Sequence, residues 1–318
     1  MTDARTAPAP DGERTLALGD PPDLRRTLGI HARGAGDPAL RFEVSGSTWR
    51  ATRTPDGPVT LLVEARAGVV RARAWGPGSA WALDRLDGLL GLDDDPAALV
   101  PRHAAVAAAV RRVRGLRIGR TLAVHEALVP AILEQKVTGD EARRTWRGLV
   151  ARYGEDAPGG FGLRLPPSPE TLATLPYHAF HPLGLERRRA ELVRAVSREA
   201  PRLERLGQAA AGPGTAAAAR AAAYAALQAF PGVGPWTAAE VGLRAFGDPD
   251  AVSVGDVHIP NMVAWALAGE PRGTDQRMLE LLEPYRGQRG RVIRLLELAG
   301  MMAPRHGPRL SPRHIADL

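Results

Sequence analysis

Residues 227–238 read LQAFPGVGPWTA, and this stretch decides the fold because it joins two helical patterns through a turn that has two glycines one residue apart. Such a turn exposes backbone amides at the start of the second helix, where the positive end of the helix favours a phosphate oxygen. Glycine is also common in helix connections because it adopts left-handed backbone angles. The stretch therefore predicts either a phosphate-binding hairpin or an ordinary helix connection.

Helical patterns surround this turn. The alanine-rich run over residues 216–229 predicts a helix that packs through Tyr224 and Leu227. Further upstream, Ser168-Pro169-Glu170 has the composition of a helix start, and residues 186–200 predict another helix. The alanine content of the long run is explained by helix propensity and does not indicate disorder.

A corner between two helices is predicted at residues 135–137. The apolar positions over residues 124–133 recur with helical spacing. Thr138 followed by Glu141 is the pattern of a capping box, which starts the next helix, and that helix carries an apolar stripe from Ala142 to Tyr153. Gln135, Lys136 and Val137 are therefore expected in the short connection between the two helices.

The N-terminal part has a different pattern. Apolar residues alternate between about Leu40 and Trp75 and are interrupted by turn signals, which predicts a small antiparallel sheet. From Pro101 onward nearly every segment has helical spacing. We predict an α+β chain with a flexible lead-in over residues 1–20, a β-rich domain over 21–100 and a helical region over 101–318.

Composition limits the chemistry. The chain of 318 residues has 42 basic and 35 acidic side chains, a balance that favours a polyanionic partner. Lys136 is the only lysine, and the absence of cysteine excludes disulfides, thiolate zinc sites, iron–sulfur clusters and cysteine nucleophiles. The first residues do not resemble a signal sequence, and no apolar run reaches the ~18 residues of a membrane span. We expect a cytoplasmic, nucleoid-associated protein that does not bind membranes.

The string from Phe230 to Ala238 resembles the hairpin of the helix-hairpin-helix (HhH-GPD) DNA glycosylase superfamily, and its tryptophan resembles the alkylbase branch, 3-methyladenine DNA glycosylase II. The resemblance covers roughly residues 100–300 and implies a helix-hairpin-helix glycosylase bundle, made of two packed helical subdomains with the active-site cleft between them. It also implies that the hairpin residues Gly232, Val233, Gly234 and Thr237 contact the DNA backbone.

The resemblance assigns the catalytic role to Asp256, because the catalytic aspartate of the family follows the hairpin by about twenty residues. A carboxylate beside the sugar stabilises the positive charge that develops as the N-glycosidic bond breaks, and it can orient or deprotonate the attacking water. The alternative is that Asp256 only caps the helix that runs through Asn261 and Trp265.

Trp236 and Glu240 are the predicted base pocket. An alkylated purine already carries positive charge, so an indole face can hold it by cation–π attraction; the alternative for Trp236 is a buried core residue. Glu240 lies one helical turn further, where it could hydrogen-bond the base edge or be an ordinary exposed glutamate. Bifunctional relatives carry a lysine where Trp236 stands, so its absence predicts a monofunctional enzyme.

Residues 135–137 resemble the loop that fills the gap left by an extruded base. We interpret Gln135 as the better gap filler, Lys136 as a phosphate or orphan-base contact, and Val137 as an apolar alternative. His258 is a further candidate for phosphate contact or a structural residue. The run Arg187-Arg188-Arg189 is interpreted as a solvated helix face and excluded from the site.

The resemblance implies no required cofactor. It does imply a sodium or potassium ion held by backbone carbonyls, which would be those of Gln228, Phe230 and Val233. The predicted partner of the monomer is double-stranded DNA that contains damaged bases, and the predicted reaction is base excision of 3-methyladenine or 7-methylguanine after base flipping. The alternatives are a glycosylase for a deaminated or oxidised base, a strand-nicking lyase that uses Lys136, and a noncatalytic DNA-binding module.

Overall fold

The computed structural model describes residues 8–212 and 217–304. The N-terminal part is a five-stranded antiparallel sheet with the strand order β1-β5-β4-β3-β2, and a two-stranded ribbon of β6 and β7 lies within the helical part. The strands are β1 Gly12–Ala17, β2 Leu40–Phe42, β3 Thr48–Thr54, β4 Gly57–Arg66, β5 Val69–Trp75, β6 Glu155–Asp156 and β7 Arg164–Leu165.

The predicted sheet is confirmed, with its turns where the sequence places them. Thr54 pairs with Gly57 across the tight turn between β3 and β4. Ala67 and Gly68 both have positive φ, 47° and 78°, and connect β4 to β5. The inward side chains, among them Val59, Leu61 and Val63, are buried and form one core with the first helices.

The prediction of a flexible lead-in is wrong for residues 12–17, because these residues form β1 and pair with β5. Residues 1–7 of the predicted lead-in lie outside the described residues. The sequence pattern did not predict this strand because the apolar alternation is short and one of its more enclosed positions holds the charged residue Arg14. The Arg14 guanidinium donates to the Leu83 carbonyl and to Asp87, which satisfies its charge against the sheet.

Helices dominate the rest of the chain, as predicted. They are α1 Leu24–Leu28, α2 Ser79–Asp84, α3 Leu86–Leu89, α4 Ala104–Arg112, α5 Val124–Leu133, α6 Gly139–Tyr153, α7 Pro169–Thr174, α8 Tyr177–Phe180, α9 Arg187–Arg198, α10 Ala200–Ala210, α11 Ala217–Gln228, α12 Pro235–Val241, α13 Ile259–Ala268, α14 Asp275–Leu282 and α15 Arg289–Leu298. A π-helical turn at Gly242–Phe246 continues α12.

Local signals place several helix ends correctly. The capping box before α6 is confirmed, because the Thr138 hydroxyl accepts from the Glu141 amide and the Glu141 carboxylate accepts from the Thr138 amide. Ser168 caps α7 as predicted. The alanine-rich helix is α11, although its predicted start at Ala216 lies outside the described residues. The sequence did not predict α10 as a separate helix after α9.

The helices form two clusters of buried side chains. The first cluster contains the interior faces of α5, α6 and α9 to α12, and the second contains those of α4 and α13 to α15. Val233 and Ala238, on either side of the hairpin turn, belong to the first cluster, whereas Ile259 at the start of α13 belongs to the second. The segment that carries Asp256 therefore connects the two cores. Within the described part of the chain, no helix has the length and apolar character needed to cross a bilayer.

Candidate active site

The hairpin between α11 and α12 is a tight turn with two different glycine roles. Gly232 has φ 107°, a conformation that favours glycine. Gly234 precedes α12 with extended backbone angles, and a Cβ added there would meet nothing within 4 Å. The Val233 amide closes the turn by donating to the Phe230 carbonyl at 2.9 Å. The surface at Gly234 is therefore open to a close approach by another molecule.

Gln135 connects the corner after α5 to this hairpin. Its Nε2 donates to the Gly232 carbonyl and to the Thr237 hydroxyl, both at 2.9 Å. The Thr237 side chain is buried, so its hydroxyl serves this internal contact. Two segments that the sequence assigned to DNA contact are thus held together by one amide side chain.

Lys136 is the exposed residue of the corner, whereas Gln135 and Val137 are partly buried. Its φ is 55°, a left-handed conformation that only three non-glycine residues adopt in the described ranges 8–212 and 217–304. The end of α5 is supported by Arg189, whose Nη1 donates to the Leu133 carbonyl at 2.9 Å. The prediction of a solvated arginine face is wrong for Arg189, which is buried because it caps this helix end.

Asp256 lies at the start of α13 and uses its two oxygens differently. Its Oδ1 accepts from the backbone amides of His258 at 2.7 Å and Ile259 at 2.9 Å, which is the helix-capping role. Its Oδ2 accepts from the indole Nε1 of Trp236 at 3.0 Å. The carboxylate is only partly buried. Asp256 therefore caps the helix and also faces the hairpin, so the capping alternative is correct but incomplete.

Trp236 reaches Asp256 from the first turn of α12. Its side chain is partly exposed and belongs to neither helical core, so the alternative of a buried core tryptophan is wrong. Nothing aromatic or cationic stacks on its indole among the residues that the structure describes. The indole thus combines a polar edge bound to the carboxylate with ring faces free of stacking partners.

Glu240 is largely buried, and both of its carboxylate oxygens accept hydrogen bonds. Its side chain is 14% exposed, so the alternative of an ordinary surface glutamate is wrong. Its Oε2 accepts from Arg244 Nη1 at 2.5 Å, and its Oε1 accepts from the Ser253 hydroxyl at 2.6 Å. Recognition of a base edge by Glu240 stays a prediction, and it would require one of these contacts to be shared or broken.

Sequence reasoning missed the partners of Glu240. The spacing of Glu240 and Arg244 is that of an ordinary helix ion pair, which was a usable signal. Ser253 carries no such signal because its contact is made across a loop. His258 contributes its backbone amide to Asp256, and its side chain is exposed.

In the described part of the chain, no cluster of three or more histidine or acidic side chains is arranged to hold a metal ion. The carbonyls predicted for a monovalent cation belong to residues 228–233, at the end of α11 and in the turn. The Phe230 carbonyl already accepts from the Val233 amide and retains a second lone pair. The turn therefore has carbonyl oxygens of the right chemical kind for a hard cation.

The fold is shared with solved glycosylase structures. A 3-methyladenine DNA-glycosylase from Archaeoglobus fulgidus aligns with a TM-score of 0.72 and 19% identity over 89% of this chain and 97% of that one. An 8-oxoguanine glycosylase/lyase from Clostridium acetobutylicum, solved with DNA, aligns with a TM-score of 0.66 and 14% identity over 91% of this chain and 97% of that one. At these identities the similarity establishes the fold, which is that of a helix-hairpin-helix protein.

Sequence similarity identifies the family. Residues 129–286 match the HhH-GPD superfamily of base excision DNA repair proteins, and the chain belongs to that superfamily. It is also 34% identical over 175 residues to a protein of Mycobacterium tuberculosis named probable bifunctional transcriptional activator/DNA repair enzyme AlkA. That alignment covers 53% of this chain and 33% of the relative, so the chain spans about one third of the relative's length.

Proposed function

We propose that the protein is a monofunctional DNA glycosylase that hydrolyses the N-glycosidic bond of alkylated purines such as 3-methyladenine and 7-methylguanine. The observation that carries the proposal is the 3.0 Å contact between Trp236 Nε1 and Asp256 Oδ2. It joins an aromatic surface suited to a cationic base with a carboxylate suited to a developing cationic sugar. Family membership and the similarity to a named DNA repair enzyme support the same reaction.

DNA binding begins at the hairpin in this proposal. The turn presents Gly232 and Gly234 to a phosphate, and the net charge of +7 favours a polyanion. The carbonyls of Gln228, Phe230 and Val233 would hold a sodium or potassium ion beside that phosphate. Replacing alkali cations with tetramethylammonium at constant ionic strength should then weaken DNA binding, and unchanged binding would remove the ion from the proposal.

The corner after α5 would fill the space left by the extruded nucleotide. Gln135 is held by the hairpin, and Lys136 is the exposed residue beside it. We therefore place Lys136 at the gap with its ammonium group on a flanking phosphate, and Gln135 as the residue that fixes the corner to the hairpin. Extrusion costs a few kcal/mol and is easiest for weakly paired bases, which contributes to selectivity.

Asp256 would act on the sugar. Trp236 and the α13 amides fix its carboxylate, which can then stabilise an oxocarbenium-like state and orient or deprotonate the attacking water. An alkylated purine carries positive charge and leaves without a proton donor. Trp236 stands where bifunctional relatives carry a lysine, and Lys136 is the only lysine of the chain, so hydrolysis without strand nicking is expected.

The test is release of free bases from alkylated genomic DNA by wild type and by Asp256→Asn, with Asp156→Asn as a matched control at an exposed aspartate of β6. Wild type and the control should release methylated purines, and Asp256→Asn should release none while it still binds DNA. Release of bases only from a deaminated or oxidised substrate would show that the enzyme acts on that lesion and not on alkylated purines. A borohydride-trapped adduct that Lys136→Ala removes would make the enzyme a lyase, and binding without any release would leave a DNA-binding module.

A further inference from the structure

Glu240 stands on the same helix as Trp236, one turn further along. Both of its carboxylate oxygens are already bound, Oε1 to the Ser253 hydroxyl at 2.6 Å and Oε2 to Arg244 Nη1 at 2.5 Å. The three side chains are all largely buried, at 14%, 6% and 13% exposure. A buried carboxylate with two strong donors is a fixed structural point, because each contact is charge-assisted.

The Ser253 end of this group leads directly to Asp256. The hydroxyl of Ser253 is held by Glu240, and its carbonyl accepts from the Asp256 amide at 3.2 Å. The segment between the two residues contains Gly255 with φ 95°, so the chain turns sharply there. The position of Ser253 therefore determines where the backbone of Asp256 lies.

The Arg244 end leads to the N-terminal domain. Arg244 Nε donates to the Ile30 carbonyl at 3.1 Å, next to α1. The carbonyl of Arg244 accepts from the Thr121 amide at 3.0 Å, ahead of α5. Arg244 is thus anchored to two other parts of the molecule, to Ile30 by its guanidinium and to Thr121 by its backbone carbonyl.

Charge keeps Glu240 in the form that accepts both donors. Burial raises the pKa of Glu240, but the charge of Arg244 and the hydrogen bonds from Ser253 and Arg244 outweigh burial and leave the pKa below its usual value. Because the carboxylate stays ionised, it can accept from the hydroxyl and from the guanidinium at the same time.

Together these contacts close a ring. The ring runs along α12 from Trp236 to Glu240, crosses to Ser253, follows the chain to Asp256 and returns through the indole to Trp236. In a closed ring the position of each member is determined from two sides. Without the contact to Ser253, the loop would lose its attachment to Glu240 and would be held at Gly255 by Asp275 and at Asp256 by the indole and the α13 amides.

We propose that Glu240 is a positioning residue for Asp256, acting through the Ser253 hydroxyl, with Arg244 as its buried counter-charge. The inference rests on the proposed glycosylase function. Glu240 then sets the distance between the aspartate and the tryptophan, and it does not read the base. A displacement of about 1 Å at a reacting group can cost about 100-fold in rate, so a residue outside the reaction can control it strongly.

The experiment uses Ser253→Ala, Glu240→Gln and the double variant, with Glu280→Gln as a matched control at an exposed arginine-paired glutamate of α14. Single-turnover base release should slow by about 10- to 100-fold in each single variant, while DNA affinity stays close to that of wild type. The double variant should be no slower than the slower single variant, because both changes break the same connection. Multiplied losses, or losses that follow DNA affinity, would overturn the proposal.

Amide hydrogen exchange over residues 253–259 supplies a readout that does not depend on catalysis. Both single variants should exchange faster there than wild type, and β4 should be unchanged. If wild type releases no base from any substrate, the glycosylase proposal fails, and faster exchange still shows that Glu240 holds the loop. Unchanged exchange and unchanged rate in Ser253→Ala would overturn the positioning role even if the enzyme is active.

Discussion

Asp256 and Glu204 each accept from two consecutive backbone amides at the start of an α-helix, and only Asp256 is suited to chemistry. Asp256 receives the amides of His258 and Ile259 ahead of α13. Glu204 of α10 receives the amides of Val124 at 2.8 Å and His125 at 2.8 Å at the start of α5. Both satisfy amides that a helix cannot pair by itself.

The two sites differ in what the second oxygen does. In Glu204 each carboxylate oxygen accepts from one of the two amides. In Asp256 the Oδ1 accepts from both amides, and the Oδ2 accepts from the Trp236 indole. Burial raises the pKa of Glu204 to about 7, although the amides of His125 and Val124 oppose the rise. A capping carboxylate therefore becomes a candidate for catalysis when one oxygen does the capping and the other faces a partly open cleft.

The largest expected effect separates capping from chemistry at Asp256. Asp256→Asn keeps a side chain that caps a helix about as well as aspartate, so stability should change little. The rate of base release should fall at least about 100-fold, because the negative charge beside the sugar is lost. Thermal unfolding and single-turnover release on the same preparations measure both quantities. An unchanged rate of base release in Asp256→Asn would show that Asp256 serves only as a helix cap.

Substitution of Glu204 should show the opposite pattern, because it should change stability and leave the rate of base release unchanged. Its folded-state pKa lies above the ordinary value of 4.5, so its stabilising contribution is present below that value and is lost as the pH rises toward 7. The difference in unfolding free energy between wild type and Glu204→Gln should therefore be larger at pH 5 than at pH 8, on the order of 2 kcal/mol. Denaturant unfolding at the two pH values measures it. A difference that does not depend on pH would contradict the buried, protonated carboxyl group.

Removing only the indole N–H sharpens the comparison further. Trp236→Phe keeps an aromatic face but leaves Asp256 Oδ2 without its donor, and a hydrogen bond to a charged group contributes roughly 1.5–3 kcal/mol. Base release should slow by about 10- to 100-fold. Trp265→Phe is the matched control, because Trp265 is an exposed tryptophan on α13. Equal rates for the two variants would mean that only the ring of Trp236 is used.

The smallest expected effect lies at the corner. Lys136→Ala should weaken DNA binding by less than about tenfold and lower the slope of log K against log salt by about 1, as expected for one phosphate contact. Lys136→Arg should restore the slope. Titrations at several salt concentrations make the measurement, and an unchanged slope in Lys136→Ala would place the lysine away from DNA.

Local sequence signals predicted a large part of this structure. The capping box at Thr138, the turn at Gly232 and strand β4 depend on residues close in the chain, and all three are present, although residues 59–63 of β4 are buried on both faces instead of alternating. Family resemblance assigned Trp236 to the base pocket and Asp256 to catalysis, whereas the hydrogen bond between them was found only in the structure. Strand β1 was missed because a charged residue interrupts its short apolar pattern.

Long-range contacts explain what the sequence could not show. Gln135 meets Thr237 across 102 positions, and Glu240 meets Ser253 across a loop of irregular backbone. No periodicity or spacing links residues so far apart, because the fold alone brings them together. Gln135 was therefore interpreted as a free gap filler, and Glu240 as a base contact or surface residue.

The single lysine has one more consequence. Amine-selective reagents do not react with arginine guanidinium groups under mild conditions. An amine-reactive dye ester therefore reacts with this chain only at the α-amine and at the exposed Lys136 of the corner. The unaltered protein therefore offers a fluorescent reporter position beside the hairpin, where arrival of a duplex would change the emission directly.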